Sequence, residues 1–267
     1  MKKTQDSVPP GNISQLLKAF KPGHLSKAVS IISSDNIKAF FENYHRTGLP
    51  VIFQTKPILT DFIELRNVLG RTPITVRQGN FSNPHEYAFS RKTSNVDAVK
   101  FIDEIEDSTT RDYAGNVEIT WNQFEKLSSQ VSFFQKEDFE IPRIWLGPKK
   151  SITPLHKDGP DNFTIHLIGT KRWILFPVGD YPKLKMFAPR PVDFPDLHVS
   201  GIDLSQYQNI EEINSMLGTN AIELLLEPGQ TLYVPSGWGH FVETKTNSLM
   251  VNLWLNPGKH IAGLLKG

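Results

Sequence analysis

The sequence contains no cysteine and no long apolar run, and its charges nearly cancel. The absence of cysteine excludes a disulfide scaffold, cysteine-ligated zinc, iron–sulfur clusters and a cysteine nucleophile. No apolar run approaches the roughly 20 residues of a bilayer span, and the first residues lack the apolar stretch of a signal peptide. The 29 basic and 28 acidic residues give a net charge of +1, which argues against a dedicated nucleic-acid or membrane-surface protein. We therefore expect a cytoplasmic globular protein.

The two halves of the 267-residue chain differ in pattern. The first half has three segments of helical periodicity, with expected N-caps at Ser34 or Asp35, at Thr60 and at Asn95. The second half has short apolar or alternating runs that indicate strands, interrupted by a helical segment at 210–217. The strand runs are 143–146, 162–168, 172–178, 222–226, 231–234, 240–244 and 249–255. Helices followed by many strands predict an α+β protein with a mainly β barrel or sandwich core.

Two apolar-rich runs, 162–168 and 171–177, flank Gly169-Thr170, and a two-residue loop with glycine first predicts a β-hairpin. Strand alternation then defines two faces. One face is mixed in character and carries Asn162, Thr164, His166, Ile168, Lys171, Trp173 and Leu175. The other is almost wholly apolar and carries Phe163, Ile165, Leu167, Arg172, Ile174 and Phe176. If the apolar face packs on the helices, the mixed face is either solvated or lines a polar interior, where Lys171 would need an anionic partner.

Three side chains form a candidate metal site. His156 and Asp158 are at i and i+2, so they share one face of a strand or lie at its end. His240 follows the strand run 231–234. Two histidines and one carboxylate are the facial triad of non-haem Fe(II) oxygenases, which leaves coordination positions open. The H-x-D triplet alone is a weak signal, and two surface residues with a core histidine are the alternative. The triplet together with Lys171 is far more specific.

These residues lie in segments that resemble the JmjC-type, cupin-like hydroxylases, the branch that includes the asparaginyl hydroxylase acting on hypoxia-inducible factor. The resemblance is carried by RIWLGPKKSITPLHKDGPDNFTIHLIGTKRWILFPV and LEPGQTLYVPSGWGHFVET…SLMVNLWL, with weaker support from GLPVIF and RDYAGNVEI. It implies a double-stranded β-helix, or jelly roll, with N-terminal helices packed on it. The matching segments span roughly residues 35–257 and imply one catalytic domain at 35–258 with its β-helix core from about 140. We expect a partly flexible extension at 1–34 before it and a tail at 259–267 after it.

The same resemblance implies Fe(II) as the cofactor and 2-oxoglutarate as the co-substrate. The implied iron ligands are His156, Asp158 and His240. The implied partners of the distal carboxylate of 2-oxoglutarate are Lys171, Thr153 and Tyr113. Asn162 and Asn252 would lie beside the iron-proximal carboxylate or the substrate. The substrate-pocket candidates are Thr164, His166, Trp173 and Trp238. His166 stands where many relatives have glutamine, and it is alternatively a bystander hydrogen-bonded inside the barrel.

The implied function is hydroxylation of an amino-acid side chain, with succinate and CO2 as co-products. We favour a peptide or protein as the substrate, and a free amino acid or another small molecule is the alternative. Two alternatives remain: a zinc-binding cupin that acts as a hydrolase or isomerase, and a non-catalytic module that keeps the 2-oxoglutarate pocket. We expect no nucleic-acid or membrane partner, and an oligomer is compatible with the sequence. The polar loop 77–92 is either a lid or substrate wall or a solvated connector.

Overall fold

The computed structural model of the protein describes residues 28–56, 61–79, 92–128, 135–189 and 197–256. The strands in these ranges are β1 (Ser30–Ser33), β2 (Val51–Gln54), β3 (Pro73–Arg77), β4 (Thr93–Asp97), β5 (Ala114–Glu118), β6 (Arg143–Gly147), β7 (Ile152–Lys157), β8 (Asn162–Ile168), β9 (Lys171–Phe176), β10 (Met186–Phe187), β11 (His198–Ser200), β12 (Ile222–Leu226), β13 (Gln230–Val234), β14 (Gly239–Thr244) and β15 (Ser248–Trp254). The α-helices are α1 (Ile37–Phe40), α2 (Phe62–Leu69), α3 (Ala98–Glu106), α4 (Trp121–Leu127) and α5 (Ile210–Leu217). A π-helical turn (Phe41–His45) continues α1, and 3-10 turns lie at Lys136–Asp138 and Val178–Lys183. In the part of the chain described, none of the helices has the length and apolar character needed to cross a bilayer.

Two facing sheets form the core of the molecule. The seven-stranded sheet has the order β1-β2-β13-β8-β15-β6-β5, the six-stranded sheet has the order β10-β11-β7-β14-β9-β12, and β3 pairs with β4. From β6 to β9, and again from β12 to β15, consecutive strands alternate between the two sheets. Inner-face side chains of both sheets meet in one buried cluster that includes Trp173, Val242, Leu232 and Met250. The predicted jelly roll is therefore confirmed, and we call the space between its inner faces the interior.

Helices cover the outer faces of both sheets. Leu65 of α2 and Ile102 of α3 are buried in one cluster with Phe163 of β8, on the outer face of the seven-stranded sheet. On the other side, Ile213 of α5 is buried with Phe176 of β9. Each of these side chains is apolar and nearly inaccessible to solvent, so burial of apolar area holds the helices on the sheets. The inner faces carry both the apolar cluster and the buried polar side chains described below.

The prediction of a hairpin between β8 and β9 is wrong. β8 pairs with β13 and β15, whereas β9 pairs with β12 and β14. Gly169-Thr170 therefore crosses from one sheet to the other. Gly169 has φ +72°, and a Cβ added there would lie 2.1 Å from the Asn247 carbonyl oxygen, so the close approach of the β14–β15 turn requires glycine. The outer faces of β8 and β9 pack on different helices, which a hairpin would not allow. The predicted division into inner and outer faces holds, except that Ile168 joins the outer cluster.

The helix starts also differ from the sequence prediction. The side chains of Asn36 and Asp97 accept the capping hydrogen bonds of α1 and α3. Asn95 lies inside β4 instead, because pairing with β3 keeps the backbone extended up to residue 97. Thr60 lies outside the described residues. At the N-terminal side, β1 pairs in parallel with β2, so the seven-stranded sheet begins before the boundary predicted at residue 35.

Candidate active site

The three sequence-predicted metal ligands come together on the inner side of the six-stranded sheet. One ligand atom from each of His156, Asp158 and His240 lies within 4.8 Å of the others. The Nε2 atom of His156 is 3.9 Å from Asp158 Oδ1, and that of His240 is 3.8 Å from Asp158 Oδ2. The imidazole centroids are 4.1 Å apart. Two nitrogens and one carboxylate in this arrangement fit an iron site.

Strand pairing and one loop contact bring these ligands together. β7 and β14 are antiparallel neighbours in which His156 lies directly opposite His240. Asp158 is the first residue beyond β7. Its carbonyl oxygen accepts a hydrogen bond from Gly237 N at 3.4 Å, in the loop that leads to His240. Gly237 has φ +82°, a conformation that favours glycine. The loop before the distal histidine is thus attached to the carboxylate ligand.

Hydrogen bonds fix both imidazoles in the tautomer that a metal needs. The Nδ1–H of His156 donates to the Pro154 carbonyl at 2.8 Å, and that of His240 donates to the Trp238 carbonyl at 3.2 Å. A carbonyl can only accept, so each ring carries a proton on Nδ1, and its Nε2 is left directed toward the space shared with Asp158, as a metal ligand requires. Burial is the main cause of the lowered pKa of His240, and it favours the neutral form that coordinates a cation.

A β-bulge places Thr153 on the same face as His156. In the β7–β14 pairing, His240 is opposite His156 and Val242 is opposite Thr153, so three residues of β7 span two residues of β14. Strict alternation would have pointed Thr153 outward. Leu155 packs in the outer cluster, as alternation from His156 requires, whereas the bulge turns Thr153 to the inner face, opposite Val242. Its Oγ1 atom is buried and has no hydrogen-bond partner among the described residues.

A buried lysine lies some distance along the same sheet from the metal ligands. Lys171 is four residues before Leu175, which pairs with His240, and four residues of strand span about 13 Å. Lys171 is fully buried, and its Nζ donates to Tyr113 Oη at 3.0 Å. Burial lowers the pKa of Lys171 to about 7. No acidic side chain of the described residues counteracts that shift, so the predicted anionic partner of Lys171 is not supplied by this part of the protein.

Several buried polar atoms of the interior have no partner among the described residues. They include Thr153 Oγ1, Asn162 Nδ2, His166 Nδ1 and Trp173 Nε1. Buried polar groups in native proteins are almost always hydrogen-bonded, so these atoms are candidates to bind a polar ligand. The Thr164 hydroxyl lies between two amide oxygens, 3.5 Å from Asn162 Oδ1 and 3.3 Å from Asn252 Oδ1. A buried cation with the unpartnered donors of Thr153, Asn162 and Trp173 fits a small dicarboxylate such as 2-oxoglutarate.

The four substrate-pocket candidates, Thr164, His166, Trp173 and Trp238, are almost completely buried, since none is more than 3% exposed. Trp173 stacks on His240 with ring centroids 5.6 Å apart. Trp238 donates its Nε1–H to the Gly48 carbonyl at 2.8 Å. His166 donates its Nε2–H to the Gly169 carbonyl at 2.8 Å. Burial first, and then the charge of Lys171, lowers the pKa of His166 to about 3, so this ring is neutral.

Sequence reasoning missed one residue at the metal ligands, Trp254. Its Nε1–H donates to Asp158 Oδ2 at 3.1 Å. The signal was present, because Trp254 is two residues after Asn252 in one strand and alternation places both on one face. The candidate loop 77–92 lies for the most part outside the described residues, since 80–91 are not among them.

The chain belongs to the cupin-like domain family, whose model matches residues 37–260. This confirms the resemblance inferred from the sequence. The chain is 28% identical over 171 residues to Jumonji C domain-containing protein 5 of Drosophila melanogaster, covering 57% of this chain and 41% of that protein. It is 31% identical over 120 residues to lysine-specific demethylase 8 of Xenopus tropicalis, covering 44% of this chain and 26% of that protein.

A third relative is named for its cofactor and co-substrate. The 2-oxoglutarate and iron-dependent oxygenase JMJD4 of Mus musculus is 29% identical over 117 residues, covering 42% of this chain and 26% of that protein. The chain spans less than half the length of these curated relatives. The shared region therefore identifies the domain family, and the activity of this chain has to be argued from its own site.

Proposed function

We propose that the protein is an Fe(II)- and 2-oxoglutarate-dependent dioxygenase that hydroxylates an amino-acid side chain, in a peptide or a protein. The observation that carries the proposal is the triad of His156, Asp158 and His240, within 4.8 Å of one another, in the same interior as an uncompensated buried lysine. Iron with 2-oxoglutarate supplies O2 activation, in which one oxygen atom enters succinate as CO2 leaves and the other enters a C–H bond of the substrate.

In this proposal the side chains of the protein bind and orient the metal and 2-oxoglutarate. His156, Asp158 and His240 would hold the metal through two Nε2 atoms and a carboxylate oxygen. Lys171 would pair with the distal carboxylate of 2-oxoglutarate, with the Thr153 hydroxyl donating to the same group. The Tyr113 hydroxyl would hold the lysine in place, as the 3.0 Å contact supports. Asn162 and Asn252 would lie beside the iron-proximal carboxylate or the substrate.

Exposure supports the direction from which a substrate would enter. The Asp158 side chain is 17% exposed, whereas that of His240 is 3% exposed and Lys171 is fully buried. A substrate group would therefore approach from the side of Asp158, after 2-oxoglutarate has occupied the deeper region near Lys171. One relative is named a lysine-specific demethylase, which by its name acts on a side chain. The net charge of +1 offers no general attraction to nucleosomal DNA, so we favour hydroxylation over chromatin demethylation.

Two measurements test the proposal. Anaerobic addition of Fe(II) and 2-oxoglutarate should produce a visible metal-to-ligand charge-transfer band, which neither a zinc enzyme nor an empty binding module would give. Succinate release should then rise above the uncoupled background when a peptide library is added. Mass spectrometry should find products heavier by one oxygen atom, with Asp158→Ala as the inactive control. Stimulation only by methylated peptides, with formaldehyde release, would instead establish demethylation. Stimulation only by free amino acids would keep the reaction class and exclude a protein substrate.

A further inference from the structure

The carboxylate ligand is held differently from the two histidine ligands. His156 and His240 are each oriented by a backbone carbonyl two residues earlier in the chain. Asp158 lies in a loop, just beyond the end of β7, and its side chain receives a hydrogen bond from Trp254 Nε1–H at 3.1 Å. Trp254 is 96 residues away in the sequence and belongs to the opposite sheet. The orientation of this one ligand therefore depends on contact between the two sheets.

The indole that makes this contact is itself well fixed. Trp254 is the last residue of β15 and is 8% exposed. Its ring meets that of Trp145 edge to face, with centroids 5.4 Å apart. The Arg143 guanidinium carbon lies 5.4 Å from the Trp254 ring centroid, within the range of a cation–π contact. Ion pairs with Glu118 at 3.2 Å and Glu140 at 2.9 Å hold that guanidinium. The N–H donor thus has little freedom to turn away from Asp158.

We propose that Trp254 is a positioning residue that sets the orientation of the Asp158 carboxylate for metal binding. This inference rests on the metal centre of the proposed function. A loop carboxylate can rotate about its side-chain bonds, and ordering it on metal binding costs conformational entropy. A donor already in place on Oδ2 restricts that rotation before the metal arrives and keeps the carboxylate turned toward the two Nε2 atoms. Partners that orient metal ligands in this way typically contribute about 10–100-fold in affinity.

The test removes the N–H group and measures metal binding directly. Mn²⁺ is the probe, and the electron paramagnetic resonance signal of the free aqueous ion reports the unbound concentration. We expect Trp254→Phe to weaken Mn²⁺ binding by about 10–100-fold. Trp145→Phe is the matched control, because it removes an indole from the same aromatic cluster without touching Asp158, and it should bind Mn²⁺ as the wild type does.

A second variant separates the hydrogen bond from packing. Benzothienylalanine at position 254 keeps the bicyclic ring and replaces N–H by sulfur, so the cluster stays filled. If it weakens Mn²⁺ binding as Trp254→Phe does, the N–H donor is responsible. If it binds Mn²⁺ like the wild type, Trp254 is only a packing residue and the inference is overturned. If the wild type itself binds neither Mn²⁺ nor anaerobic Fe(II), the metal centre of the proposed function fails, and this inference fails with it.

Discussion

The metal ligands and the buried lysine lie in one interior, yet the protein provides them with very different interaction partners. Around His156, Asp158 and His240, each ligand side chain has a hydrogen-bond donor or acceptor from the protein. Around Lys171, the cation has a neutral tyrosine hydroxyl at 3.0 Å, and no described acidic group compensates its burial. The first region is organised before any metal binds, whereas the second is electrostatically incomplete.

This difference separates two tasks of binding. A metal site needs fixed ligand atoms, because misdirected lone pairs lose affinity, so the protein orients them in advance. A site for a dicarboxylate needs a cation whose charged form is more stable with the ligand bound than without it. A buried lysine with its pKa lowered to about 7 meets that need, because a carboxylate restores the charged form. The burial of Lys171 is therefore unfavourable in the ligand-free protein, and binding of the co-substrate would offset that free-energy cost.

The largest expected effect comes from removing one of the three proposed metal ligands. His156→Ala, Asp158→Ala and His240→Ala should each abolish 2-oxoglutarate turnover, measured as succinate release, while leaving the fold intact. Each variant deletes a direct bond to the metal from a set of only three protein ligands. Thermal unfolding and far-UV circular dichroism of the same preparations check the fold. Full activity of Asp158→Ala with stoichiometric iron would mean that the carboxylate is not a ligand.

Removing the Lys171 ammonium group should lower the affinity for 2-oxoglutarate and leave the affinity for the metal unchanged. Lys171→Ala should raise the 2-oxoglutarate concentration needed for half-maximal turnover by at least about tenfold, because losing a buried charge pair costs about 2–5 kcal/mol. We do not expect Lys171→Arg to rescue binding, since the larger planar guanidinium has to fit the same enclosed space. Mn²⁺ affinity serves as the internal control. An unchanged requirement for 2-oxoglutarate in Lys171→Ala would show that the lysine does not bind it.

Much of this comparison was readable from the sequence, because it depends on residue type and alternation. Strand alternation correctly placed Asn162, Thr164 and His166 on one face of β8 and Lys171 on the inner face of β9. The H-x-D triplet with a distal histidine correctly gathered three side chains that the structure places within 4.8 Å. These inferences need only local periodicity and the chemistry of the side chains.

The remainder depends on long-range contacts that local patterns do not encode. The Gly169-Thr170 loop resembles a hairpin turn, but the partners of β8 lie more than sixty residues later in β13 and β15. The bulge that turns Thr153 inward arises only when β7 pairs with β14. The contact of Trp254 with Asp158 requires both sheets to be assembled. Topology, register and the bulge at Thr153 therefore had to come from the structure, whereas alternation was enough for the facing direction of Asn162, Thr164 and His166.

The pH dependence of 2-oxoglutarate affinity would sharpen the comparison. Lys171 has its pKa lowered to about 7 in the ligand-free protein, and a bound carboxylate should raise it. Below pH 7 the lysine is already charged, so affinity should be nearly flat. Above pH 7 binding must take up a proton, so affinity should fall by up to about tenfold per pH unit. Calorimetric titration in buffers of different ionisation enthalpy measures that proton. Lys171→Ala should lose the proton uptake, and uptake that persists in this variant would assign the titration to another group.

The last expected effect is on stability in the absence of ligand, and its sign is diagnostic. Lys171→Met should make the ligand-free protein more stable, by about 1–4 kcal/mol, because an apolar side chain replaces a buried and uncompensated cation. The folded-state pKa of Lys171 is about 7, below the ordinary lysine pKa of 10.5. Between these values the unfolded chain binds more protons, so wild-type stability rises with pH across that window.

The advantage of Lys171→Met should accordingly be largest at or below pH 7 and shrink as the pH rises toward 10.5. Each kcal/mol corresponds to about 2–4 °C in Tm for a domain of this size, which differential scanning calorimetry resolves. The exposed Lys149 provides a matched control, since Lys149→Met should leave Tm almost unchanged. Added 2-oxoglutarate should stabilise the metal-loaded wild type but not Lys171→Met, because binding to the folded state alone raises stability. A lower Tm for ligand-free Lys171→Met would instead mean that the lysine stabilises the folded state. The contrast between the well-partnered metal ligands and an uncompensated lysine would then not hold.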